Sequence, residues 1–322
     1  MEKEHELEIQ VSSTTLGYEG KGGTLNIALA LIEGAISKEA YTYLVKNNAE
    51  KFQDETKKEI PNAQFGVSVL ASAVNAKMMG DLIKSVDYPY AVQWGLDFLK
   101  EKRQKGKEEG YKGKDAVFAL GAELGYAMLQ ARPGRGQVDR TVKVAKVADL
   151  DPVRIRTCIE TVGIEDEIKK IKKVNTKLSK EKKNVIWVIE PNKKIGENTL
   201  SSFLQMYENV VKEYPELSFG IDLDMGGLSE EKSLLSVLDR MDKKRILPLF
   251  ISLSGQGYID GNVRTHLPLG EDREENRKLG EWMDTMQQRG NPVPGLVIET
   301  SPAQDEVLRD YSKFLKDLKK GL

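Results

Sequence analysis

The sequence predicts one closed α/β barrel, a (β/α)8 fold over residues 1–322, and three observations lead there. In the second half, short apolar or β-branched runs alternate with charged helical stretches, the pattern of βαβ units around a parallel sheet buried on both faces. Three of those runs end in a carboxylate (Glu190, Asp224 and Glu299). Acids gathered at the C-terminal ends of buried strands mark the face where closed α/β barrels carry their sites. The chain has 322 residues, 39% of them hydrophobic, which suits one barrel with a sizeable core.

Taken in order, "ELEIQVSS" (6–13) reads as the first strand, followed by the Gly-rich "GYEGKGG" (17–23). That segment lacks the Gly-Lys-Ser/Thr ending of a phosphate-binding P-loop, so it is expected to be a flexible βα loop, on which Tyr18 or Lys21 could still touch a substrate. A helix is expected to begin near Thr24. "AYTYLVK" (40–46) fits a strand or a helix; "FGVSVLASA" (65–73) and "YAMLQARPG" (126–134) fit strands. Long charged helical segments are expected over 85–125 and 139–183. In the latter, "IKKIKKVNTKL" (168–178) spaces apolar residues for core packing with a solvated basic face. The last four strands are "NVIWVIE" (184–190), "SFGIDLD" (218–224), "ILPLFISLSG" (246–255) and "GLVIETS" (295–301). Helices at 199–213, 229–243 and 274–289 separate them, and counting 40–46 as a strand makes eight.

The charge balance, 49 basic against 50 acidic side chains, leaves a net −1 and gives no global pull toward nucleic acid or an anionic membrane. The single cysteine, Cys158, excludes an internal disulfide and a cysteine-cluster zinc site; a small buried hydrophobe on a helix face is its expected role. "MEKEHELEIQ" is charged and is not expected to act as a signal peptide, and no run reaches the roughly 20 apolar residues of a membrane span. A cytoplasmic protein without membrane contact is expected.

Several short motifs follow one another in a recognisable order. "VLASAVN" ends at Asn75, "GAELGYAMLQARPG" carries Arg132, and "WVIEPN" ends a strand in Glu190. "GIDLD" closes on Asp224, "RTHLPLG" holds Arg264 and His266, and "LVIET" ends in Glu299. In this order the chain resembles the xylose isomerase-like TIM barrels, in particular the endonuclease IV branch, over most of its length. It departs from them where histidines would stand: Leu70, Arg132, Gly227 and Ser252 occupy those places, and Arg264 replaces an Asp. Leucine and arginine offer a metal no usable lone pair, so a three-zinc cluster cannot be assembled.

What the resemblance implies is a one-metal site of Glu190, Asp224, His266 and Glu299, close to the set of the family's sugar isomerases and epimerases. Three oxygens and one nitrogen would suit Mn²⁺ or Mg²⁺, and less distinctively Zn²⁺. Glu190 and Glu299 would be the catalytic carboxylates; Arg132, Asn75 and Arg264 would bind a small phosphate- or hydroxyl-bearing substrate. His266 is a ligand if its loop folds back over the mouth, and otherwise a histidine that only hydrogen-bonds within that loop. Asp222 shares a strand face with Asp224 and could substitute for it. Arg132 could instead neutralise Glu190 and fill the metal's space. Arg135 and Arg140 either extend a phosphate-attracting mouth or are solvated charges.

Three functions follow. The first is a metal-dependent sugar or sugar-phosphate isomerase or epimerase. The second is an endonuclease IV-like phosphodiesterase acting on abasic nucleic acid, which the net charge does not favour. The third is a non-catalytic barrel serving as a binding or scaffold subunit.

Overall fold

The computed structural model describes residues 7–12, 38–70, 91–93, 142, 145–146, 152–157, 164–191, 199–225, 228, 233–253, 255–259, 262–267, 273–299 and 307–322. In chain order the elements are β1 (Glu8–Ser12), α1 (Lys38–Glu59), β2 (Gln64–Leu70), β3 (Ala91–Gln93), β4 (Val153–Thr157), α2 (Ile164–Ser179), β5 (Val185–Ile189) and α3 (Leu200–Glu213). There follow β6 (Ser218–Asp224), α4 (Leu234–Lys243), β7 (Phe250–Leu253), β8 (Gly255–Ile259), β9 (Asn262–Leu267), α5 (Arg273–Gln288), β10 (Gly295–Ile298) and α6 (Val307–Lys319).

This is an α/β fold around one curled parallel sheet. Strands β1 to β7 pair each with the next, β10 pairs with β7, and β10 also pairs with β1, so the described strands form a closed barrel. Strands β8 and β9 stand apart from that sheet as a two-stranded antiparallel hairpin between β7 and α5.

Strand alternation sorts the core into two layers. One strand face, carrying residues such as Ile9, Val11, Phe65, Val67, Ile155, Trp187, Ile221 and Ile251, packs against the amphipathic faces of the helices. The other face turns into the barrel, where Val188, Phe250 and Val297 form a small apolar cluster of their own. Gly295 makes room for it: a Cβ there would stand 2.7 Å from the Phe250 ring. Helix starts are set locally. The hydroxyls of Thr199 and Ser233 accept the backbone N–H of Ser202 and Ser236, capping α3 and α4.

Three expectations need correction. Residues 40–46 lie inside α1, so they supply no strand. The segments expected to be wholly helical, 85–125 and 139–183, contain β3 and β4. The fourth place in the ring belongs to Val153–Thr157, which pairs with β3 on one side and β5 on the other; the run 126–134 lies outside the described residues. His266 and Arg264 sit on β9, in the segment between β7 and α5. Asn75, Arg132, Arg135, Arg140, Cys158, Tyr18, Lys21 and Gly227 also lie outside the described residues. None of the described helices is long and apolar enough to cross a membrane.

Candidate functional site at the strand ends

"VRIRT", the β4 sequence, alternates apolar and basic residues at the strand period. Val153 and Ile155 join the layer under the helices, which leaves Arg154 and Arg156 for the opposite face. In the ring β4 touches only β3 and β5, so side-chain contacts from β4 to β1, β6, β7 and β10 must cross the barrel interior. Both arginines make such contacts.

Arg154 lies toward the N-terminal ends of the strands. Its Nη1 donates to Glu8 Oε2 at 2.7 Å, and its guanidinium lies 5.0 Å from the centre of the Phe250 ring. One turn of the pleat further on, Arg156 is buried among acids from three other strands. Nη1 donates to Asp222 Oδ2 at 2.8 Å and to Ser252 Oγ at 2.9 Å. Nη2 donates to Glu299 Oε1. Nε lies 3.3 Å from Glu190 Oε2. Ser252 Oγ donates in turn to Asp222 Oδ2 at 2.9 Å, and Asp222 Oδ1 is buried without a hydrogen-bond partner among the described residues. Asp224, also buried, is close enough that its charge is felt at Glu190.

The electrostatics follow from burial and unequal charge. Burial alone would depress Arg156, but Glu299, Glu190 and Asp222 more than offset it and hold the guanidinium well above its usual range. Glu190 behaves oppositely. Burial pushes its carboxyl up to about 8; Arg156 opposes that rise, while Glu299, Asp222 and Asp224 reinforce it. Asp222 is raised as well, by burial first, against the pull of Arg156 and the bond from Ser252. At neutral pH the cluster therefore keeps a proton on Glu190 beside a permanent cation. It can hold a proton and orient a polar group.

No family model matches the sequence, and neither does any curated protein.

The residues present do not fit the metal that the family resemblance implies. Among the described residues, no three or more His, Cys, Asp or Glu side chains are arranged to hold an ion. The reason is visible in the geometry, because Arg156 occupies the point toward which Glu190, Asp222 and Glu299 converge. A dication beside that guanidinium at ~4 Å would meet a repulsion of about 8 kcal/mol at an effective dielectric constant of ~20. The structure thus brings Glu190 and Glu299 together around Arg156, with Asp224 nearby. It places Arg264 and His266 two residues apart on the hairpin strand β9.

Arg156 is what residue-by-residue reading missed; Ser252, expected at a histidine's place, joins the site as a hydroxyl partner of Arg156 and Asp222. The available signal was Pro152, which disfavours a helix continuing through it, followed by β-branched residues alternating with arginine. Arginine on a buried strand requires acid partners, and the sequence supplies them at three other strand ends.

Proposed function

We propose that this chain is a TIM barrel of the xylose isomerase-like kind, one (β/α)8 domain over residues 1–322, that works without a divalent metal as a cytoplasmic binding or scaffold subunit. The observation supporting this is Arg156, whose guanidinium sits against Glu190, Asp222 and Glu299 at the barrel face where a metal-dependent relative needs its acids for an ion. The ligand would be a small phosphate- or hydroxyl-bearing molecule. Asn75, Arg132 and Arg264 are the proposed contacts, the arginines through the planar fork that suits phosphate. A one-metal isomerase and an endonuclease IV-like hydrolase both require those acids to be available to metal, so the same experiment tests all three readings.

That experiment is metal analysis and thermal melting of the purified wild-type protein with Mn²⁺, Mg²⁺ or Zn²⁺, and after chelation. We expect less than stoichiometric metal and superimposable melting curves. An ion that binds only the folded chain at 100 times its Kd would add about 2.7 kcal/mol, a shift of several degrees. A shift of that kind, reversed by chelator, would refute the metal-free reading and reinstate the isomerase.

A further inference from the structure

We infer that Glu190, Asp222, Ser252 and Glu299 form a guanidinium-specific cation site for which Arg156 is the built-in occupant, so that the site binds a free guanidinium compound once that side chain is removed. The inference rests on the same side chains as the metal-free reading but not on whether the barrel has a ligand or a reaction of its own.

Three observations carry it. First, the acids contact different nitrogens: Nη1 donates to Asp222 and Ser252, Nη2 donates to Glu299, and Nε lies beside Glu190 without a hydrogen bond among the described residues. Partners distributed around the edge of a planar, delocalised cation match guanidinium geometry; an ammonium, a compact point charge, could not reach them all. Second, the partners come from β5, β6, β7 and β10, so they are positioned by the sheet and not by Arg156's own strand. Third, Asp222 Oδ1 is buried with no hydrogen-bond partner among the described residues, so the arginine leaves acceptor capacity unused there.

Arg156→Ala removes the occupant and leaves the acids buried without their cation. Its melting temperature should fall by roughly 10 °C, the scale expected for one partner removed from a buried ion pair. Methylguanidinium at about 10 mM, far below denaturing concentrations, should then raise the melting temperature of Arg156→Ala. At ten times its Kd the rise would be about 2–4 °C. Wild type, whose site is filled, should not respond, and NaCl at equal ionic strength should not substitute. Arg156→Ala/Glu299→Gln, which lacks the partner of Nη2, should lose the response.

If Arg156→Ala does not fold on its own, recovery of folded protein on adding methylguanidinium carries the same meaning. A folded Arg156→Ala that ignores methylguanidinium overturns the inference, as does a variant that stays unfolded in its presence. A response equally large in wild type overturns it too. Mn²⁺ stabilising the wild-type protein would count against the metal-free function and leave this site standing, so the two failures are distinguishable.

Discussion

Glu190 is buried where its carboxylate form has too little solvation, and its proton is retained up to about pH 8. In the unfolded chain the same carboxyl releases its proton in the ordinary range. Between those limits the folded state binds a proton that the unfolded state does not, so raising the pH favours unfolding. Below the ordinary range both states are protonated and this contribution to stability is fully present; above about 8 both have lost the proton and the contribution is gone. Glu190→Gln keeps a neutral carbonyl facing Arg156 Nε, so the variant should gain on the order of a few kcal/mol over wild type at pH 8.5 and little at pH 5. Urea midpoints at pH 5, 7 and 8.5 would measure it. A slope against pH remains in the variant, because Asp222 is raised in the same direction. Identical pH profiles for variant and wild type would mean that Glu190 ionises normally.

Among the elements, the α5–α6 contact depends on two glycines. A Cβ on Gly280 would stand 2.3 Å from Leu318 O, and one on Gly321 would stand 2.0 Å from Arg277 O. The backbone of α5 thus touches the chain end that follows α6 directly. Intrinsic propensity alone says Gly280→Ala should stabilise a helix by up to about 1 kcal/mol. The contact reverses that expectation, and we expect a loss of about 1–3 kcal/mol, the usual cost of overpacking. Calorimetry or denaturant titration decides between the two signs.

The elements also show what could be read in advance. Strands β5, β6, β7 and β10 were legible because they are buried on both faces and bounded by amphipathic helices. β4 was not, because its inward residues are arginines, and charge at alternate positions resembles a solvated helix until the acids across the barrel are known. Glu190, Asp224 and Glu299 could be found from their strand ends. That a guanidinium would join Glu190 and Glu299 could not, since the contact from β4 to β10 spans 143 positions. β3, three residues long, is too short to carry any periodicity.

For the whole molecule, closure depends on both ends of the described chain. β10 pairs with β1 over Ile9–Val11, and α6 packs on α1, with the Phe52 and Tyr311 rings 4.8 Å apart. Tyr311 and Thr56 hydroxyls lie 2.6 Å apart. Because Thr56 donates its own hydrogen to Phe52 O, Tyr311 must be the donor between them. Removing residues 307–322 would uncover the apolar face of α1 and should abolish cooperative unfolding of the entire barrel. A truncated chain that still melts in one sharp transition would contradict this.

The β1–β10 pairing also has a consequence during synthesis. β1 leaves the ribosome long before one of its two partners, Gly295–Ile298, has been made. At ~5–20 residues per second, the nascent barrel carries an unpaired strand edge for tens of seconds. An edge of that kind can pair with another chain, and here it includes the apolar Ile9 and Val11. Yield in a host should therefore depend on chaperone supply and translation speed more than the stability of the finished barrel would suggest.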